Sequence, residues 1–280
     1  MRITDLLDAR SISLDCSPKT KQEALDTAVA LMVKSGKIND EEAYRRQVYA
    51  REEESTTGIG EGIAIPHGKC DAVTKPGLAA MVIKDGVDFD ALDGEPVTLL
   101  FLIAAPNTKD NVHLDVLSKL SVLMMDEDFS NGLRNAKSVE EFLKIIDKAD
   151  DEKPDIDERL EDTGAKEDSK VKILAVTSCP TGIAHTYMAA EGLEKAARAK
   201  GCFIKVETRG SGGAKNVLTA AEIEEADCII VAADAQVPMD RFDGKKLIEC
   251  QVSDGISKAD QLVERAMAGD APIYQAKGAV

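Results

Sequence analysis

Residues 171–193 read V-K-I-L-A-V-T-S-C-P-T-G-I-A-H-T-Y-M-A-A-E-G-L, and the change of rhythm inside them decides the fold of the second half of the chain. A β-branched apolar run ends in Ser178-Cys179-Pro180. From Gly182 onward the apolar residues recur at helical spacing, so Cys179 is predicted at a strand-to-helix turn. Backbone N–H groups of the segment Pro180, Thr181, Gly182, Ile183, Ala184, His185 and Thr186 are expected to converge there on one anion, with the positive end of the helix dipole behind them. The same field favours the thiolate form of a cysteine. The segment reads as a nucleophilic cysteine in a phosphate cradle, against the plainer reading of a small residue packed at a βα turn.

Outward from this turn, strands are predicted over 171–177, 202–208, 228–233 and, more weakly, 246–250. Helices are predicted over 182–200, closed by Gly201, then after a Thr219 cap and after a Ser257 cap, with a flexible loop at 210–213. Strands alternating with helices imply right-handed βαβ units and a parallel, doubly wound sheet whose ligand sits at the carboxyl ends of the strands, where Cys179 falls. The tail 269–280 reads as mobile.

Upstream, residues 150–170 hold ten acidic, four basic and only three apolar residues, too few to bury a face, and read as an acidic flexible linker. It separates an N-terminal domain, 1–149, from a C-terminal one, 171–268. Two domains also suit a chain of 280 residues, 44% apolar and 31% charged, given about 100–200 residues per domain. A net charge of −16 argues against nucleic acid and anionic membrane surfaces as partners. Scattered cysteines without C-x-x-C pairs, and an N-terminus without an apolar signal core, fit a reducing cytoplasm.

The N-terminal domain reads as a mixed α/β sequence. A short strand at 11–14 precedes a helix with Ser17 as N-cap and Pro18 as first residue, and a second helix after Asn39 runs toward Arg51. The run T-T-G-I-G-E-G-I-A-I-P-H-G-K, 56–69, then sets glycines and Pro66 around His67. Strands at 78–84 and 97–105, with a turn at Asp93-Gly94, lead to helices over about 110–125, 127–135 and 139–148, the last capped by Ser138.

His67, in its glycine-rich loop, is a competent phosphoryl acceptor or an ordinary loop histidine. His113, near a helix start, is a partner histidine or a polar surface residue; Arg51 is a phosphate clamp or an exposed arginine. His185 stands six residues after Cys179, where C-x-x-x-x-x-R phosphatases carry a phosphate-gripping arginine. Its absence favours transfer over hydrolysis. Dispersed histidines offer no metal-ligand spacing.

Together, G-I-G-E-G-I-A-I-P-H-G-K and T-S-C-P-T-G-I-A-H-T-Y-M-A-A-E resemble the fused IIA and IIB domains of the fructose-type bacterial phosphoenolpyruvate-dependent sugar phosphotransferase system. The resemblance implies a mixed-sheet α/β IIA-type domain over 1–149 and a parallel-sheet IIB-type domain over 171–268. It implies that His67 accepts a phosphoryl group from the histidine phosphocarrier protein and passes it to Cys179, which delivers it to a sugar, fructose at C1, held by a membrane IIC domain. Arg51, in R-E-E-E-S-T-T-G, and His113, in N-V-H-L-D-V-L-S-K-L, are placed by it beside the phosphorylated histidine. The phosphoryl group travels on side chains, so no metal or organic cofactor is implied, and the chain is placed in the cytoplasm at the inner face of the membrane. A cysteine-dependent phosphatase with an appended domain, and a regulator read through phosphorylation of His67, are the competing readings.

Overall fold

The computed structural model describes residues 1–108, 112–152, 170–180, 182 and 184–276, and of 112–115 the backbone alone. The chain divides into two units, Met1–Pro154 and Asp155–Val280.

The first unit runs α1 (Ile3–Leu6), β1 (Leu7–Cys16), α2 (Lys21–Val33), α3 (Glu41–Glu54), β2 (Gly58–Gly60), β3 (Ile63–Ala64), β4 (His67–Cys70), β5 (Gly77–Val87), β6 (Val97–Pro106), α4 (Val112–Leu123), α5 (Glu127–Asn135) and α6 (Val139–Glu152). Helix α2 starts later than the Ser17-Pro18 pair suggests. Thr20 is its cap, with Oγ1 accepting the Glu23 N–H at 3.1 Å while the Glu23 carboxylate accepts the Lys19 N–H at 2.7 Å. Asp40 caps α3 in the same way.

Central in the sheet order β1-β5-β6-β3-β2, β6 is antiparallel to β5 and parallel to both β3 and β4, so the sheet is mixed. Alternation along β6 divides the core. Leu100, Leu102 and Ala104 join Val29, Met32, Tyr44 and Val48 of α2 and α3 in one apolar cluster, while Phe101 meets Phe142 of α6 with ring centroids 6.0 Å apart. Residues 150–152, expected to open the linker, complete α6 instead, because the Asp150 carboxylate accepts the Ile3 N–H at 2.9 Å and meets Lys119 Nζ at 2.6 Å.

The second unit runs β7 (Lys172–Ser178), α7 (His185–Lys200), β8 (Phe203–Gly210), β9 (Gly213–Lys215), α8 (Ala220–Glu225), β10 (Cys228–Ala233), a 3-10 turn (Asp240–Phe242), β11 (Leu247–Cys250), α9 (Val252–Ser257) and α10 (Ala259–Ala268). Its order is β11-β10-β7-β8-β9, with the first four strands parallel. Ile173 and Ala175 pack with Leu193 and Ala197 of α7 and Val263 of α10, whereas Leu174 and Val176 pack with Ile223 of α8 and Phe242. Both faces are thus covered, as the doubly wound reading requires.

Three expectations need correction. The sheet is not wholly parallel: the run predicted as a flexible loop is a two-residue hairpin, and Gly210 pairs with Gly213 so that β9 returns antiparallel to β8. Ser257 does not cap the last helix; Lys258 both ends α9, donating N–H to the Asp254 carbonyl at 2.8 Å, and starts α10, accepting the Leu262 N–H at 3.0 Å. The expected mobile tail is bonded through Tyr274, with Leu247 N–H on the Pro272 carbonyl at 2.9 Å and Tyr274 N–H on the Lys245 carbonyl at 2.8 Å. Among the described residues no helix is long and apolar enough to cross a membrane.

Candidate active site

His67 opens β4 opposite Ile103 of β6 and is 1% exposed. Its Nδ1 lies 3.0 Å from the Ile65 carbonyl oxygen. A carbonyl only accepts, so Nδ1 carries the proton and the ring lone pair lies on Nε2. Burial, and then the positive charge of Arg51, push the imidazole pKa from 6.5 down to about 4, against the opposing pull of the Ile65 bond. The ring is therefore neutral near pH 7. Its approach to α3 depends on the next residue: a Cβ on Gly68 would stand 2.9 Å from the Tyr44 ring and 3.0 Å from Val48 Cγ2.

Arg51 leaves the last turn of α3 and is 7% exposed, unlike the surface arginine its spacing resembled. Its Nη1 donates to the Ser55 carbonyl at 3.0 Å and to Ser55 Oγ at 3.3 Å, while its buried Nε–H has no hydrogen-bond partner. That leaves a charged donor for an anionic oxygen brought to His67. His113 falls on α4, and its side chain lies outside the described residues.

Sequence reasoning missed the clasp on the turn that leads into this segment. Gly60, Glu61 and Gly62 all have positive φ; the Glu61 N–H donates to Asp93 Oδ2 at 2.8 Å, and Arg134 Nη2 donates to the Glu61 carbonyl at 2.5 Å. The glycine pair was a visible signal, but its partners are 32 and 73 residues away.

In the second unit Cys179 follows β7, is 4% exposed, and rests on Ala189 and Val252. Thr186 Oγ1–H donates to its Sγ at 3.1 Å. The turn after it is longer than expected, because α7 begins at His185 behind an Ala184 N-cap, and not at Gly182. The Gly182 N–H closes the turn on the Cys179 carbonyl at 3.0 Å, so it is engaged within the loop, and Pro180 has no N–H to offer. Thr181 and Ile183 lie outside the described residues. Among the seven loop residues, the amides of His185 and Thr186 stand at the head of the helix, where no carbonyl of the helix itself reaches them.

The hairpin supplies a wall that the sequence reading did not foresee. Gly182 has φ +64°, its carbonyl accepts the Ser211 N–H at 2.9 Å, and a Cβ there would lie 2.3 Å from the Ser211 nitrogen. On the other side Asp234 donates its N–H to the Ser178 carbonyl at 3.0 Å and accepts the Val252 N–H at 3.1 Å. His185, buried on the first turn of α7, sits where a phosphatase would carry arginine. No group of three or more His, Cys, Asp or Glu side chains among the described residues is arranged to hold a metal.

Comparison with known proteins gives these sites a setting. Residues 5–149 match the family model described as phosphoenolpyruvate-dependent sugar phosphotransferase system, EIIA 2, and residues 174–265 match that of the PTS system, lactose/cellobiose specific IIB subunit. The chain is 48% identical over 278 residues to the PTS system fructose-specific EIIABC component of Bacillus subtilis, covering 99% of this chain and 44% of that protein. It is 32% identical over 270 residues to the 2-O-alpha-mannosyl-D-glycerate-specific EIIABC component of Escherichia coli, covering 95% of this chain and 40% of the relative. A solved domain of fruA from Bacillus subtilis is 57% identical and covers 37% of this chain and all of that structure, with a TM-score of 0.36. The chain thus spans less than half the length of these EIIABC relatives. With the EIIA 2 model matched over more than half of its length and the IIB model over most of the rest, the chain belongs to the EIIA 2 family of the phosphoenolpyruvate-dependent sugar phosphotransferase system and carries a IIA domain followed by a IIB domain.

Proposed function

We propose that this chain is a two-site phosphoryl relay. His67 accepts the group from the histidine phosphocarrier protein, and Cys179 takes it on toward a sugar bound by a membrane IIC domain, the sugar being fructose, phosphorylated at C1. The observation that carries the reading is a buried imidazole, neutral near pH 7, with its lone pair on Nε2 and a charged Arg51 donor beside it. The fructose assignment leans on the Bacillus subtilis relative.

In the first step the Nε2 lone pair attacks phosphorus, the donor's P–N bond breaks, and that bond's electrons return to the donor imidazole. Arg51 stabilises the charge on the transferring oxygens, and His113 is assigned the same task through the family motif. In the second step Cys179 Sγ attacks phosphorus, its proton passing to water, and the electrons of the breaking Nε2–P bond return to His67. Thr186 Oγ1–H steadies the sulfur charge, and the amides at the head of α7 face the phosphoryl oxygens. A sugar hydroxyl then attacks, the S–P bond breaks back to thiolate, and the hydroxyl proton leaves. The approach of the two sites is assigned to the acidic linker, and the chain works at the cytoplasmic face of the membrane where IIC lies.

The test is labelling of the full chain from phosphoenolpyruvate through the general phosphotransferase proteins. His67→Ala is expected to abolish label at both sites, while Cys179→Ser keeps label on His67 and stops sugar phosphorylation by IIC-bearing membranes. Label on Cys179 in His67→Ala sinks the order of transfer, and failure of labelled His67 to pass its group to Cys179 leaves a regulator.

A further inference from the structure

Glu52, beside Arg51 at the end of α3, has a carboxylate only 5% exposed that gathers three donors. Thr57 N–H reaches Oε1 at 2.9 Å, Thr57 Oγ1–H reaches Oε2 at 2.5 Å, and Lys21 Nζ stands 2.8 Å from Oε1. Thr57 is fully buried, so both of its donors depend on this one acceptor group. The bonds continue inward: the Thr57 carbonyl accepts the Ile65 N–H at 3.0 Å, and the Ile65 carbonyl accepts the His67 Nδ1–H at 3.0 Å. Pro66, between the last two, restricts Ile65 to extended geometry and leaves its carbonyl little freedom of its own. Lys21 is held in turn, 4.9 Å above the Phe89 ring.

A helix end needs no such arrangement. Burying a carboxylate is unfavourable unless every lone pair is matched, and a pair of apolar side chains at 52 and 57 would join α3 to β2 without it. What the carboxylate adds is direction, since it fixes Thr57, which bonds Ile65, whose carbonyl sets the proton on His67. We propose that Glu52 is a positioning residue for phosphoryl acceptance. Through Thr57 and Ile65 it keeps the proton on Nδ1 and the lone pair on Nε2, an inference that rests on the relay function assigned to His67.

The full chain, labelled with 15N-histidine and studied by long-range 1H–15N NMR at neutral pH, reads the tautomer of His67 directly. The parent is expected to show the Nδ1–H form alone. E52Q keeps that form, because its amide can remake both bonds to Thr57. E52A mixes the two tautomers, and its His67 phosphorylation slows about tenfold with KM for the donor unchanged. A folded E52A with parent-like tautomer and rate overturns the proposal. Should E52A not fold, T57V removes only the hydroxyl donor; mixed tautomers in T57V support the proposal and a parent-like spectrum with parent rate overturns it. The spectrum is taken before any phosphorylation, so it still judges the role of Glu52 if the donor never labels His67.

Discussion

The two residues assigned as nucleophiles are seated by contrasting means. Cys179 is held largely by its own neighbours, with Thr186 on the sulfur and Gly182 closing the turn, while the hairpin tip at Ser211, Asp234 on the Ser178 carbonyl and Val252 close in from farther along the chain. His67 bonds nearby Ile65, but that carbonyl and the ring are set by segments that meet only in the fold: Thr57 ahead of β2 bonds Ile65, Ile103 of β6 pairs with His67, and the charge of Arg51 on α3 acts on the imidazole. A nucleophile seated locally is vulnerable to backbone changes in its loop. One seated by distant segments is vulnerable to changes of charge and hydrogen bonding elsewhere.

The sharpest break in this contrast is Gly182→Ala. The position has φ +64° and no room for a Cβ against Ser211, so loop and hairpin must part. Transfer to Cys179 is expected to fall at least about a hundredfold and the second unit to lose roughly 3 kcal/mol, with His67 labelling unchanged. Labelling of both sites, with hydrogen exchange of β7 and β8 amides, checks this. A Cys179 that still fills at the parent rate would show that the local seat is not what matters.

On the other side, His67 couples its burial to pH. Its folded pKa of about 4 lies below the 6.5 of an unfolded histidine, so as pH falls through 6.5 the unfolded chain binds a proton that the folded chain refuses. Stability is full above 6.5, declines toward pH 4, and levels below it, a loss of about 3 kcal/mol from this group alone. His67→Gln should remove that part of the decline. Exchange rates of β5 and β6 amides in parent and variant across this range measure the difference, and identical pH slopes would mean that the ring is not buried in solution.

The same contrast explains what was legible beforehand. The strand, cysteine turn and helix of the second unit lie within 171–200, so their periodicities adjoin; Gly201 and Thr219 stood where a stop and a cap belong. The hairpin was misread because a Gly-Ser-Gly-Gly run looks alike as a turn or as a loose loop, and its place against Gly182 depends on strand neighbours. In the first unit β2, β3 and β4 have three, two and four residues, too few for alternation to register. Arg51 read as an ordinary arginine by spacing; only a family resemblance singled it out, since its burial comes from the way later segments fold over α3. Glu52 and Arg134 carried no local signal, and Asp93 only that of a turn with Gly94.

A finer probe of the local seat is Thr186→Val, which keeps the shape of the side chain and deletes the donor to Sγ. Transfer from His67 to Cys179 is expected to slow about tenfold, in line with a hydrogen bond to a charged group, and Thr186→Ser should restore it. A chase of labelled His67 resolves the step. Equal rates in the valine variant would mean that the Thr186 hydroxyl does not support the sulfur during transfer.

The smallest effect belongs to Arg134, and it tests how far the distributed seat of His67 extends. Its Nη2 bonds the Glu61 carbonyl in a turn where Gly60, Glu61 and Gly62 all carry positive φ, a conformation that Glu61 adopts at some strain. Arg134→Met retains much of the apolar stem but removes that bond, and about 1 kcal/mol of local stability is expected to go with it. Because Asp93 still holds the Glu61 N–H and β3 still pairs with β6, the turn loosens without detaching. Faster exchange confined to 60–64, with His67 labelling slowed less than in E52A, would place the boundary of the seat between Ile65 and this turn. Labelling slowed as much as in E52A would move that boundary out to α5.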